Sequence, residues 1–136
     1  MKEETQRLSA LIRIAGEEAV LKGRELAVEF TDTGYYFLVY DGKQWQHLAD
    51  DKEENILRPR SLPEGLRLEL ATEGEQAKLG KNDEEAGSTA RIYLLSSGEM
   101  TPFHITLRKE NGTGGYELRG SPLGKLEMGR QANAES

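Results

Sequence analysis

Cysteine is absent from this sequence, and with it go disulfides, thiolate metal sites and a cysteine nucleophile. Histidine is scarce: His47 and His104 are the whole supply. Neither sits in an H-x-x-x-H or H-E-x-x-H context, so both read as ordinary residues of strand-like segments rather than metal ligands. No apolar run approaches the ~20 residues needed to span a bilayer, and no signal-peptide pattern opens the chain. Excess positive charge is lacking too. The formal net charge is −6, which argues against a general nucleic-acid binder, whose clustered Lys and Arg displace counterions from phosphates. It argues equally against a polybasic membrane-surface domain. There is no G-x-S-x-G elbow. Ser96 and Ser97 lead into Gly98, and Ser121 lies between Gly120 and Pro122, positions that mark turns. No nucleophile or metal constellation is left to support an enzyme, and no cofactor is expected.

Apolar residues are also few, at 36% of the chain, and four prolines stand against fifteen glycines. That balance predicts thin, half-exposed sheets with many turns rather than a thick core. At 136 residues the chain amounts to one domain, which buries roughly two-thirds of its unfolded surface.

What is present begins with a helix over residues 3 to about 23. Leu8, Leu11, Ile12, Ala15 and Ala19 follow the i, i+3, i+4, i+7 spacing and form one face for packing on the chain's own sheet. Gly23 is the natural stop. Ala10, Ile14 and Leu21 fall on the opposite face. A helix apolar on two sides usually touches two things, so these three are the candidate partner-facing residues. Met1-Lys2 run straight into this helix, as expected of a start placed inside a longer natural one.

After Gly23 the apolar period drops from 3.6 to 2. Leu26, Val28 and Phe30 alternate with Ala27 and Glu29, predicting a half-buried strand. Residues 35–40 form an aromatic, β-branched strand. Asp41-Gly42 predicts a type I′ hairpin into a return strand at 43–48 that carries Trp45. Residues 49–64 read as a loop and 65–71 as a strand. Residues 72–90 form a polar loop with at most a weak strand at Ala77–Leu79. Strands follow at 91–95 and 103–108, joined across Ser96-Ser97-Gly98-Glu99, then at 116–119 and 123–128. The organisation is therefore an N-terminal helix (1–24), a β-rich head (25–128) and a flexible tail (129–136). About eight short strands without intervening helices make an α+β fold with mainly antiparallel sheets.

Other clusters have plain explanations. Asp50, Asp51, Glu53 with Asn55, and Asn82, Asp83 with Glu84, lack the central glycine of a calcium loop and read as solvated charge. Asn111-Gly112-Thr113 fits a glycosylation sequon but also a turn. Tyr35, Tyr36, Tyr40 and Trp45 on adjacent strands raise a carbohydrate-binding module as an alternative, although cross-strand aromatics more often stabilise a sheet.

Several segments resemble, in order, the H-type minor pseudopilins of the bacterial type II secretion system. They are the stretch from Arg7 to Leu26, with its leucine-rich helix, Glu18-Ala19 pair and Gly23-Arg24-Glu25 corner; Gly34-Tyr35-Tyr36-Phe37 with Trp45; Arg58 and Leu62-Pro63-Glu64-Gly65; and Ile92 to Gly98 with Pro102-Phe103. Leu95-Ser96 stands where that family's pattern has a proline, so this turn is expected to differ. The resemblance covers about 7–126. It implies a pilin-like fold and a non-enzymatic assembly subunit near the tip of a short pseudopilus that exports folded proteins. It also implies a periplasmic domain, an inner-membrane anchor with N-terminal methylation in the whole protein, and partners among the other minor pseudopilins and the major pseudopilin. A type IV pilus minor pilin, some of which bind DNA, would share the fold. Arg119, Lys125 and Arg130 interleaved with Glu117, Glu127 and Glu135 make a poor DNA surface, and no nucleic acid is expected.

Overall fold

The computed structural model describes residues 1–48, 56–72, 75–76, 90–110, 112 and 114–131. Helix α1 runs Lys2–Lys22. It ends because Gly23 takes the left-handed conformation (φ 63°), with Gly23 N–H donating to Val20 O at 3.3 Å and Arg24 N–H to Ala19 O at 3.1 Å. That pair of bonds satisfies two of the last carbonyls. Glu3 and Glu4 in the first turn and Lys22 in the last complement the helix dipole.

Ten strands follow among the described residues: β1 Leu26–Thr31, β2 Gly34–Tyr40, β3 Trp45–His47, β4 Arg60–Ser61, β5 Leu66–Thr72, β6 Glu75–Gln76, β7 Arg91–Leu94, β8 Phe103–Lys109, β9 Gly115–Gly120 and β10 Leu126–Gln131. One sheet has the order β3-β2-β1-β7, with β4 also on β2; the other has the order β10-β9-β8-β5-β6. Every pairing is antiparallel. One apolar core joins Leu8, Leu11, Ile12, Ala15 and Ala19 of α1 to the inward faces of both sheets, among them Val28, Phe37, Leu68, Ile92 and Ile105. This is an α+β architecture with the helix packed on two antiparallel sheets.

Five details differ from the sequence-based expectation. The alternation in β1 does not leave it half-exposed: all six residues are buried. Ala27 sits under a second, outward-facing cluster of Tyr36, Leu38, Trp45 and Tyr93, and the Glu29 carboxylate accepts hydrogen bonds from Tyr36 Oη and Arg91 Nε. The first hairpin turn is shifted by one residue from the expected Asp41-Gly42: Tyr40 pairs with Trp45 and Asp41 N–H donates to Gln44 O at 3.1 Å, which leaves Gly42-Lys43 at the tip. Asp41 shapes it by accepting from the backbone N–H groups of Lys43 and Gln44, both at 2.8 Å. These bonds hold its carboxyl below the usual range.

Strands β7 and β8 are not hairpin partners. Thr101 N–H reaches Tyr93 O at 3.0 Å, but Pro102 then carries the chain into the other sheet. The last strand starts at Leu126 rather than 123 because residues 121–125 form a turn, with Ser121 N–H to Lys125 O at 2.9 Å and Gly124 at φ 87°. It therefore runs through 129–131, which the expected flexible tail had claimed; the rest of that tail, 132–136, lies outside the described residues. Finally, β4 and β6 are two-residue strands in segments expected to be loops. The possible strand at Ala77–Leu79 and both acidic patches lie outside the described residues.

Candidate functional site

The titratable and aromatic candidates have structural partners. His104 pairs with Glu117 across β8 and β9, and His47 stacks on Tyr36 with ring centroids 4.8 Å apart. Among the described residues no group of three or more His, Asp or Glu comes together. Tyr35 lies in the main core against Phe30 and Phe37. Its burial raises the hydroxyl pKa to about 12, against the opposing pull of Arg60 and Arg7. Tyr40, Trp45 and Tyr93 pack on one another, tilted by 49° at both contacts. That geometry suits a cluster rather than a flat platform for a sugar ring.

The helix surface behaves differently. Leu8, Leu11, Ile12, Ala15 and Ala19 are buried. Of the three residues expected to form a partner-facing stripe, Ala10 and Ile14 are half-buried, and Ile14 packs against the main core. Leu21 alone stands out, 82% exposed. Its companions are residues that helical spacing did not single out: Val20, 50% exposed, and Leu123, 82% exposed.

Leu21, Val20 and Leu123 line a single groove of about 510 Å³ between the second half of α1 and two turns. Two adjacent i+4 rows of α1 form one wall, Ile12-Gly16-Val20 and Arg13-Glu17-Leu21; Leu123 and Leu126 contribute apolar surface opposite, while Ile12, Leu94 and Met100 reach the groove as nearly buried core residues. Gly16 opens a notch in the helix: a Cβ built there meets no atom within 4 Å.

The opposite wall is held in place. Ser96 N–H donates to the Glu25 carboxylate at 2.6 Å, tying the 95–99 turn to the foot of β1. Gly98 N–H donates to Leu95 O at 2.9 Å, and Met100 N–H donates to Pro122 O at 2.9 Å, which joins the two turns. Gly98 (φ 95°) and Gly124 (φ 87°) occupy left-handed positions that side chains avoid. The groove is thus apolar, pre-formed and rimmed by Arg13, Glu17 and Glu99. Three exposed apolar side chains, Val20, Leu21 and Leu123, beside one apolar groove mark an interaction site more readily than a chemical one.

The family described as "Type II transport protein GspH" matches residues 4–124. The chain is 30% identical over 142 aligned positions to the type II secretion system protein H of Pseudomonas aeruginosa, covering 96% of this chain and 78% of that protein. It is 26% identical over 140 positions to the protein of the same name from Aeromonas hydrophila, covering 94% and 74%. Among solved structures, a minor pseudopilin EpsH from the type 2 secretion system of Vibrio cholerae superposes with a TM-score of 0.69 at 25% identity, covering 95% of each chain. The solution structure of E. coli GspH superposes with a TM-score of 0.70 at 18% identity, covering 99% of this chain and 91% of that one, a likeness of fold.

Proposed function

The chain belongs to the GspH family of type II transport proteins, and from that premise we propose that it is a minor pseudopilin whose work is packing rather than catalysis. It takes its place near the tip of a pseudopilus that supports export of folded proteins across the outer membrane. Its head lies in the periplasm, and in the whole protein α1 continues an inner-membrane anchor. Its partners are the other minor pseudopilins of the tip and the major pseudopilin.

The observation that carries this reading is the division of labour along α1. One stripe is spent on the chain's own core, while Leu21 and Val20 remain in solvent beside a groove. A helix needed only to close a core would gain nothing from displaying them; isolated exposed Leu residues are common, but three apolar residues lining one groove are not isolated. Ala10, half-buried and not among the residues that line the groove, enters the test as the other expected partner-facing position. Ile14 serves the fold, so a charge there would destabilise the domain before it reported on assembly.

The test replaces Ala10 and Leu21 together by Glu in the whole protein and measures co-purification of the other pseudopilins from cells. The expected result is a folded domain by circular dichroism with the partners lost. Undiminished co-purification would refute an assembly role for this face.

A further inference from the structure

We infer that the groove receives an amphipathic helix of a neighbouring pseudopilus subunit, with apolar anchors seated between α1 and the 121–125 turn and a Lys or Arg set against Glu17 and Glu99. This rests on the pseudopilin reading above and adds the kind of element that docks.

Three observations select a helix with basic character. First, the wall made by α1 is a pair of i+4 rows, Ile12-Gly16-Val20 and Arg13-Glu17-Leu21. Each spans two helical turns, roughly 12 Å at 1.5 Å per residue. Rows of this kind accept the ridges of another helix. The Gly16 notch, where an added Cβ would meet nothing within 4 Å, gives such a ridge room to approach the α1 backbone.

Second, the opposite wall offers no free row of backbone donors to an extended strand. The N–H groups of Leu95, Ser96, Gly98, Glu99, Met100, Thr101, Gly124 and Lys125 all donate within the chain. A docking peptide must therefore satisfy its own backbone, which a helix does and a strand does not. Third, two carboxylates and one guanidinium rim the groove, none of the three has an ion-pair partner among the described residues, and the Glu99 carboxylate accepts only a hydrogen bond from Ser97 Oγ at 3.1 Å, which leaves the rim with an excess of negative charge. An apolar helix flanked by a cation complements them. A second copy of this chain would bring the same carboxylates and the same net charge of −6, so self-pairing is disfavoured.

The experiment titrates this chain with the purified soluble domains of the other pseudopilins of the same secretion system and reads Kd calorimetrically. Gly16→Trp fills the notch and Leu123→Glu charges the far wall. Both positions are open to solvent space, so the fold should persist, which circular dichroism checks. Each is expected to raise the Kd for one partner about tenfold or more, the scale of losing a central apolar anchor. Gly16→Ala, which puts only a methyl into the notch, should weaken binding measurably but less than Gly16→Trp. Glu17→Lys with Glu99→Lys should weaken binding and flatten its dependence on salt.

Unchanged Kd in both Gly16→Trp and Leu123→Glu would overturn the inference and leave the pseudopilin reading standing. So would concentration-dependent self-association that Gly16→Trp abolishes, since the occupant would then be a second copy. An unaltered chain that binds none of these domains overturns it as well; if the chain also proves dispensable for export, the pseudopilin reading falls with it.

Discussion

Arg91→Ala should cost this domain about 2–4 kcal/mol, although the ion pair it breaks resembles several others in kind. Glu29, on the outward face of β1, is only 3% exposed, and its carboxylate accepts from Arg91 Nε and Tyr36 Oη. Burial by itself would lower the Arg91 guanidinium pKa; the hydrogen bonds and charges of Glu29 and, after it, Tyr93 together outweigh burial and hold the group above its ordinary value. Removing one partner of a buried pair typically costs 3–5 kcal/mol, because an uncompensated charge is left behind. Here the Arg91 side chain is 20% exposed, so water reaches the vacated space and the loss falls toward the lower end, about 2–4 kcal/mol.

The Arg67–Glu110 pair is the internal control. At 2.7 Å it is a good contact, but its side chains are 42% and 47% exposed. Arg67→Ala should therefore change stability by no more than about 1 kcal/mol. Urea unfolding followed by the fluorescence of Trp45, the single tryptophan, measures both variants. The combined change Glu29→Gln with Arg91→Met should recover much of the loss, because it removes both charges and keeps an acceptor for Tyr36. Equal, small losses for Arg91→Ala and Arg67→Ala would refute the argument that burial, not contact distance, sets the value of these pairs.

Two further predictions follow from single buried sites. Burial raises the Tyr35 hydroxyl to about 12 from 10.0, so the unfolded chain ionises this group first. Stability is therefore fully present below pH 10 and falls as pH rises toward 12, by roughly 2–3 kcal/mol at the upper end. Denaturant midpoints between pH 9 and 12 should show this slope, and Tyr35→Phe should remove it. Gly34→Ala would set a Cβ 2.4 Å from Arg60 O and 3.3 Å from Ser61 Cα. Backbone atoms cannot swing aside, so β4 must part from β2 at a cost of about 1–3 kcal/mol, read from the same unfolding curves; no loss would mean that the close approach is not kept in solution.

Much of this fold was legible in the sequence because its signals were local. The α1 apolar spacing and Gly23 mark the helix and its end, and the period-2 runs mark most strands. The α+β class and the resemblance to H-type pseudopilins agree with the family match across residues 4–124. What escaped was non-local. Nothing in Ile92 to Phe103 says that β7 and β8 belong to different sheets, because that is decided by which strand each finds, β1 for one and β5 with β9 for the other. Ala27 and Glu29 looked like outward residues; Ala27 is buried in a cluster with Tyr36, Leu38, Trp45 and Tyr93, and the buried Glu29 carboxylate is held by Tyr36 and Arg91 from the neighbouring strands.

The groove was only partly legible. Leu21 could be read from helical spacing. Leu123, inside a Ser-Pro-Leu-Gly turn, carried no periodicity, and Ile14 lay on the nominal outer face yet packs inward. A glycine at position 16 in the middle of a good helix was the one local signal available. Glycine there costs about 1 kcal/mol against alanine. With no atom from elsewhere among the described residues within 4 Å of a Cβ at that position, the described fold gives no steric reason to keep it, and the close approach of another molecule would.

Everything proposed for the groove depends on this chain being a pseudopilus subunit, and export from cells addresses that most directly. In a strain deleted for this protein, an enzyme secreted by the type II pathway should accumulate in the periplasm. The intact whole protein should return it to the medium, while the same protein carrying Gly16→Trp and Leu123→Glu should not. Export that proceeds undiminished in the deletion strain would contradict a role in the pseudopilus.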